Sequence, residues 1–161
     1  NILPNHEKNK DMASTLEYMG LKNGQSLMGL PIDAAFIGSC TNARLTDLRS
    51  AAKILKNNKI SPNIKAICTP GSADVKKQAE QEGIDKIFEA AGFQWREPGC
   101  SLCFYAGGEG FLPQQRVITS TNRNFRGRQG NGVRSHLASP VTVAASAIAG
   151  KIVPPQTITK Q

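Results

Sequence analysis

Four short strand-like stretches, set among segments of helical period, restrict the architectures open to this chain. Ile32-Asp33-Ala34-Ala35-Phe36-Ile37 suits a buried strand, and Leu45, Leu48, Ala52 and Leu55 recur at helical spacing just beyond it. Ile64-Lys65-Ala66-Ile67-Cys68 is a second strand, broken by Thr69-Pro70-Gly71. Val75 and Ala79 then mark a helix that stops at Gly83, and residues 84–91 form another that ends at Gly92. Phe93-Gln94-Trp95 reads as a brief third strand and Arg116-Val117-Ile118-Thr119 as the fourth. Ser139-Pro140 supplies an N-cap followed by proline at the first helical position, which opens a helix over 141–149 with Gly150 as its stop. Strands that alternate with helices at this spacing pair in parallel, because each helix returns the chain to the start of the next strand. The expected fold is α/β, a three-layer α/β/α arrangement around a mainly parallel sheet.

Ahead of the first strand, Met12, Leu16 and Met19 fall on one face of a helical pattern stopped by Gly20, and a glycine-bearing connector follows. The expected organisation is an N-terminal helix and connector over 1–30, an α/β domain over 31–155 and a tail over 156–161. At 161 residues the chain is long enough to bury a core without a disulfide or metal. No apolar run approaches the ~20 residues of a membrane span. The first residue is Asn1, and the polar opening lacks the apolar stretch of a secretory signal, so the expectation is an excised or processed piece in the cytoplasm.

The net charge of +8 permits attraction to anions of any size, and its distribution decides between them. Lys53, Lys56, Lys59, Lys76, Lys77 and Lys86 are scattered along helical patterns as a solvated face, whereas Arg123, Arg126, Arg128 and Arg134 crowd one glycine-bearing stretch. Arginine suits two-point recognition of a carboxylate, and Gly127, Gly130 and Gly132 allow turns that aim Arg123 and Arg128 at one small anion. Arg126 and Arg134 read equally well as solvated. With Phe125 the only aromatic among them, nucleic acid is not expected as a partner.

Cys40, Cys100 and Cys103 carry the metal chemistry. Two thiols three positions apart can chelate one centre, and three thiolates leave a metal position open. Cys40, the Pro70-Gly71 turn, the Cys100/Cys103 pair and the arginine stretch all follow strands, and in open α/β sheets such stretches meet at the carboxyl edge. A redox Cys-x-x-C preceded by Trp95, and zinc on Cys40, Cys100, Cys103 and His136 with a basic loop against a partner, remain alternatives. Cys68 is read as core, and His6 and His136 as surface or loop residues.

Phe36-Ile37-Gly38-Ser39-Cys40-Thr41-Asn42, Pro98-Gly99-Cys100-Ser101-Leu102-Cys103 and Ser120-Thr121-Asn122-Arg123-Asn124-Phe125-Arg126-Gly127-Arg128-Gln129-Gly130 resemble, in order and spacing, the aconitase superfamily. The resemblance runs from about residue 12 to about residue 150, and within the superfamily it is to the branch acting on 2-isopropylmalate and related acids. It implies a [4Fe–4S] cluster on Cys40, Cys100 and Cys103, with Asn122 near the cluster and Arg123 and Arg128 facing a substrate carboxylate. It also implies dehydration and rehydration of a small dicarboxylate in leucine biosynthesis. Partners would be a small subunit carrying a swivelling domain and further N-terminal domains of the large subunit, which hold the base. This piece alone would be inactive. Phe104-Tyr105-Ala106-Gly107-Gly108-Glu109-Gly110 departs from the superfamily's usual Leu-x-Met-Asn-like continuation, which leaves 2-methylmalate and homocitrate-type acids open.

Overall fold

The computed structural model describes residues 10–38, 40–99 and 110–159. Five strands, β1 (Ala34–Ile37), β2 (Lys65–Cys68), β3 (Gln94–Trp95), β4 (Arg116–Thr119) and β5 (Arg134–Leu137), form one sheet in the order β3-β2-β1-β4-β5, and every pair is parallel. The chain builds outward from β1 to β3, then returns to the other side of β1 to place β4 and β5. The order therefore reverses between β1 and β4, which in a parallel sheet opens a crevice at the carboxyl ends. The expected α/β fold with a parallel sheet is present.

Helix α2 (Leu45–Leu55) connects β1 to β2, α3 (Ala73–Gln81) and α4 (Ile84–Ala91) connect β2 to β3, and α5 (Pro140–Ala149), which follows β5, packs with them against the sheet. Ser72 and Ser139 cap α3 and α5 through their side chains, and Gly92 and Gly150 end α4 and α5 in the left-handed conformation that glycine adopts without a steric penalty. The pleat divides the core in two. Ala35, Ile37, Ala66, Cys68 and Ile118 join the large cluster with Leu48, Leu55, Phe88 and the buried alanines of α5. Ala34, Phe36, Ile67 and Val117 pack instead with Phe111 and Val133, which come from the segments leading into β4 and β5. The small side chains of α5 let it lie against both α2 and β1.

Strand β4 has the expected bounds, while β1 starts two residues later than its apolar run because Ile32 donates its N–H to Gly150 and Pro31 forms an antiparallel bridge to Lys151. Two elements were not expected. The short α6 (Gln156–Thr159) lies in the region read as a tail. Strand β5, Arg134-Ser135-His136-Leu137, carries neither an apolar run nor a clean alternation, which is why the residue pattern points to loops for His136 and Arg134. His136 is buried in β5, with Arg116 Nη1 2.8 Å from its Nε2. A guanidinium only donates, so Nε2 accepts and the ring proton sits on Nδ1. Burial first, and the Arg116 charge second, push the His136 pKa down to about 4.

Two outcomes follow. An ordinary histidine titrates near 6.5, so the unfolded chain takes up a proton between about pH 6.5 and 4 that folded His136 refuses. Stability from this site is complete above pH 6.5 and falls as the pH drops towards 4, by at most about 3 kcal/mol; denaturant unfolding of His136→Gln over the same range should give a flatter profile than the parent. Separately, a Cβ on Gly38 would collide with the ring of fully buried Phe36. Gly38→Ala should cost about 1–3 kcal/mol in the same assay, partly recovered when Phe36→Leu is added.

Candidate functional site

The loops leaving β1 and β4 are joined across the point where the strand order reverses. Gly38 N–H donates to Ser120 Oγ at 3.0 Å, and the Ser120 hydroxyl has the carbonyls of Gly38 and Asn42 as acceptors at 3.2 and 3.3 Å. Asn42 Nδ2 donates to the Ser120 carbonyl at 2.8 Å. Ser120 is fully buried and Asn42 half-buried, so these bonds are largely shielded from water and hold the Cys40-bearing loop against the start of the arginine loop.

On its other side the Cys40 loop runs along the end of β2. Thr69 N–H donates to Ile37 O at 2.8 Å and Gly71 N–H to Ala43 O at 3.0 Å, with Cys40 between the two junctions. Cys40 is exposed. Beyond β2, Arg96 N–H donates to Cys68 O at 3.0 Å, and Glu97, Pro98 and Gly99 continue the chain from β3. Cys100 and Cys103 lie outside the described residues. Cys68 is buried within β2, and burial pushes its thiol well above the ordinary range, so it stays protonated in the core as the strand pattern required.

The arginine loop brings Asn122, Arg123 and Arg128 together. Arg128 Nη1 donates to Arg123 O at 2.6 Å and Nη2 to Asn122 Oδ1 at 3.2 Å, while its guanidinium lies 5.6 Å from the Phe125 ring centre. Gly130 has φ +135, and a Cβ there would strike the Phe111 carbonyl, so this turn requires glycine. The loop is anchored from inside by Gln129, whose Nε2 donates to Thr119 Oγ1 at 3.2 Å and whose Oε1 accepts from Ser135 Oγ at 2.9 Å. Sequence reasoning gave Gln129 no role. The available signal was an amide between Arg128 and a glycine, in a stretch otherwise rich in charge.

The other two arginines turn away from Asn122. Arg126 donates to Ser14 Oγ at 2.7 Å and lies 5.2 Å from the Tyr18 ring centre on α1 (Lys10–Met19). Arg134 belongs to β5 and donates to Tyr18 O at 3.0 Å, and Arg116 donates to Met19 O at 3.1 Å. Two guanidinium groups thus satisfy carbonyls of the last turn of α1, where the helix dipole favours positive charge. Tyr18 OH donates to Val133 O at 2.9 Å and accepts from Gly127 N–H at 3.2 Å, tying the far side of the loop. His136, with one ring nitrogen taken by Arg116 inside β5, is badly placed as the fourth ligand of a zinc site, and the zinc alternative is not favoured.

Comparison with known proteins gives a consistent result. Residues 2–150 match the aconitase family (aconitate hydratase). A 3-isopropylmalate dehydratase large subunit from Cupriavidus necator is 59% identical over 145 residues, which is 90% of this chain and 54% of that protein. The large subunit from Buchnera aphidicola subsp. Cinara cedri is 54% identical over 144 residues, 89% of this chain and 31% of its relative. That from Solibacter usitatus is 50% identical over 147 residues, 91% of this chain and 32% of its relative. The chain spans between about a third and about half the length of these curated relatives. An α/β chain matched over nearly all its length, and this close to three such relatives, belongs to the aconitase family.

Proposed function

We propose that this chain is the cluster-bearing part of an aconitase-type hydro-lyase that isomerises 2-isopropylmalate, or a related 2-alkylmalate, by dehydration and rehydration. Cys40, Cys100 and Cys103 hold a [4Fe–4S] cluster, and Asn122, Arg123 and Arg128 bind a substrate carboxylate. The observation that carries this reading is the pair of junctions between Asn42 and Ser120, which draws the Cys40 loop and the arginine loop to one edge of the sheet.

The donor set suits the group. Thiolates are the usual ligands of iron–sulfur clusters, and three of them leave one iron open. Thr69 Oγ1, buried without a hydrogen-bond partner at the same edge, is consistent with a polar group seated there. When bound, the cluster would supply a Lewis-acidic iron for the departing hydroxyl. Arg128 presents a fork whose present acceptors, a backbone carbonyl and the Asn122 amide oxygen, are of the kind a carboxylate would replace. The net charge of +8 favours the approach of a dianion.

The relatives are named large subunits, which supports a separate small-subunit partner. That partner, with its swivelling domain, and the further N-terminal domains of the large subunit would bring the base. The domain over 31–155 then works only within the assembly, in cytoplasmic leucine biosynthesis, with residues 1–30 as its N-terminal helix and connector and 156–161 as its tail.

Anaerobic reconstitution with iron and sulfide should give about four irons per chain and a broad visible band. Cys40→Ser should abolish uptake and Cys68→Ser should leave it unchanged. Stoichiometric zinc without colour, or equal loss at Cys68, would overturn the assignment. In the assembled enzyme, Arg128→Lys should raise KM about tenfold, the effect of losing ~1.4 kcal/mol from a two-point contact, without bleaching the cluster.

A further inference from the structure

Among the described residues, six Ser or Thr side chains are buried: Thr69, Thr119, Ser120, Thr121, Ser135 and Ser146. Five have partners. Thr119 and Ser135 share Gln129, Ser120 joins Gly38 and Asn42, Thr121 reaches Arg123 O, and Ser146 reaches Val153 O. Thr69 is the exception: it is wholly buried, and its Oγ1 has no hydrogen-bond partner. A hydroxyl withdrawn from water without a replacement bond is a standing cost to the fold.

The position of this hydroxyl points to what satisfies it. Strand β2 lies between β1 and β3, and the cysteine-bearing segments follow those two flanking strands. Thr69 is the first residue past β2. Its N–H is bonded to Ile37, three residues before Cys40, and its neighbour Cys68 is bonded to Arg96, four residues before Cys100. The Gly71–Ala43 bond then keeps the Cys40 loop alongside the Thr69-Pro70-Gly71 turn. The one unpartnered buried hydroxyl among the described residues is therefore at the end of the strand that lies between the two whose following segments carry the thiols.

We propose that Thr69 Oγ1–H donates a hydrogen bond to a sulfur of the cluster site, and so tunes the cluster. This rests on the cluster assignment to Cys40, Cys100 and Cys103. A donor to sulfur stabilises the more negative, reduced state, so it raises the reduction potential and slows loss of the group. Without the cluster the same hydroxyl only destabilises, because a methyl group of equal size would need no partner.

The test compares the parent chain with Thr69→Val, which keeps the shape and removes the donor, and Thr69→Ser, which keeps the donor. Metal-free Thr69→Val should unfold at a higher denaturant concentration than the parent. After anaerobic reconstitution it should show a more negative midpoint potential, read by spectroscopically monitored titration, and faster bleaching in air. Thr69→Ser should retain the parental potential. If Thr69→Val is folded but loads no iron while Thr69→Ser loads fully, the donor role is also supported. Equal potentials for the parent and Thr69→Val would overturn the proposal and leave the cluster assignment standing, as would a shift of the same size in Thr69→Ser. A parent chain that takes up no iron would remove the cluster assignment and this proposal together.

Discussion

Ser120 is the joint on which the candidate site depends. Where strand order reverses, the loops after β1 and β4 have no continuing ladder to hold them side by side. One hydroxyl supplies the link by accepting from Gly38 N–H and donating towards the carbonyls of Gly38 or Asn42, while the Asn42 amide closes the ring onto the Ser120 carbonyl. The bonds between Gly38 and Ser120 lie in a buried space, and those to Asn42 at its half-buried margin, where a group left unsatisfied would cost more than it would in water. Gly38 has to be small there because the Phe36 ring fills the volume a side chain would need. The Cys40 loop is thus fixed by a packing constraint beneath it and a hydrogen-bond constraint beside it.

The same economy governs the basic residues. A run of arginines in sequence suggests one cationic patch, yet the fold sorts them by partner. Arg116 and Arg134 end on carbonyls of α1, and Arg126 rests on Tyr18 and Ser14, so three positive groups serve the docking of one helix. That docking in turn fixes the loop, since Tyr18 bridges Gly127 and Val133. Arg123 and Arg128 stay beside Asn122. Helix α1 is consequently part of what shapes the loop, although it stands more than a hundred residues away in sequence.

Much of this architecture was legible from residue pattern alone. Strand β1 is a continuous apolar run because it is buried on both faces, β2 and β4 each keep an apolar centre, and α4 and α5 announce their ends with Gly92 and Gly150. Strand β5 was not legible, for a physical reason. Its burial is made tolerable by specific partners: Arg116 for His136, Gln129 for Ser135 and the α1 carbonyls for Arg134. None of these leaves a periodic trace. Gln129 was missed on the same ground, since a buried amide looks like any surface polar residue until its two partners are known. Cys40 and Asn122 were singled out by motif, and the register of β1 against β4 explains why residues eighty positions apart lie at neighbouring strand ends.

The proposed sharing of one centre by Cys40, Cys100 and Cys103 places a further demand on the strand between the two that lead to them. Adjacent strands lie about 4.8 Å apart, so segments leaving β1 and β3 start roughly 10 Å from each other. Thiols from both can share one centre only if the end of β2 yields the space above it. The Thr69-Pro70-Gly71 turn meets that requirement: Pro70 brings no N–H to be satisfied, and Gly71 directs its own to Ala43 at the near side of the Cys40 loop. A small hydroxyl at Thr69, buried and without a protein partner, is what a strand end beneath a cluster would need to carry.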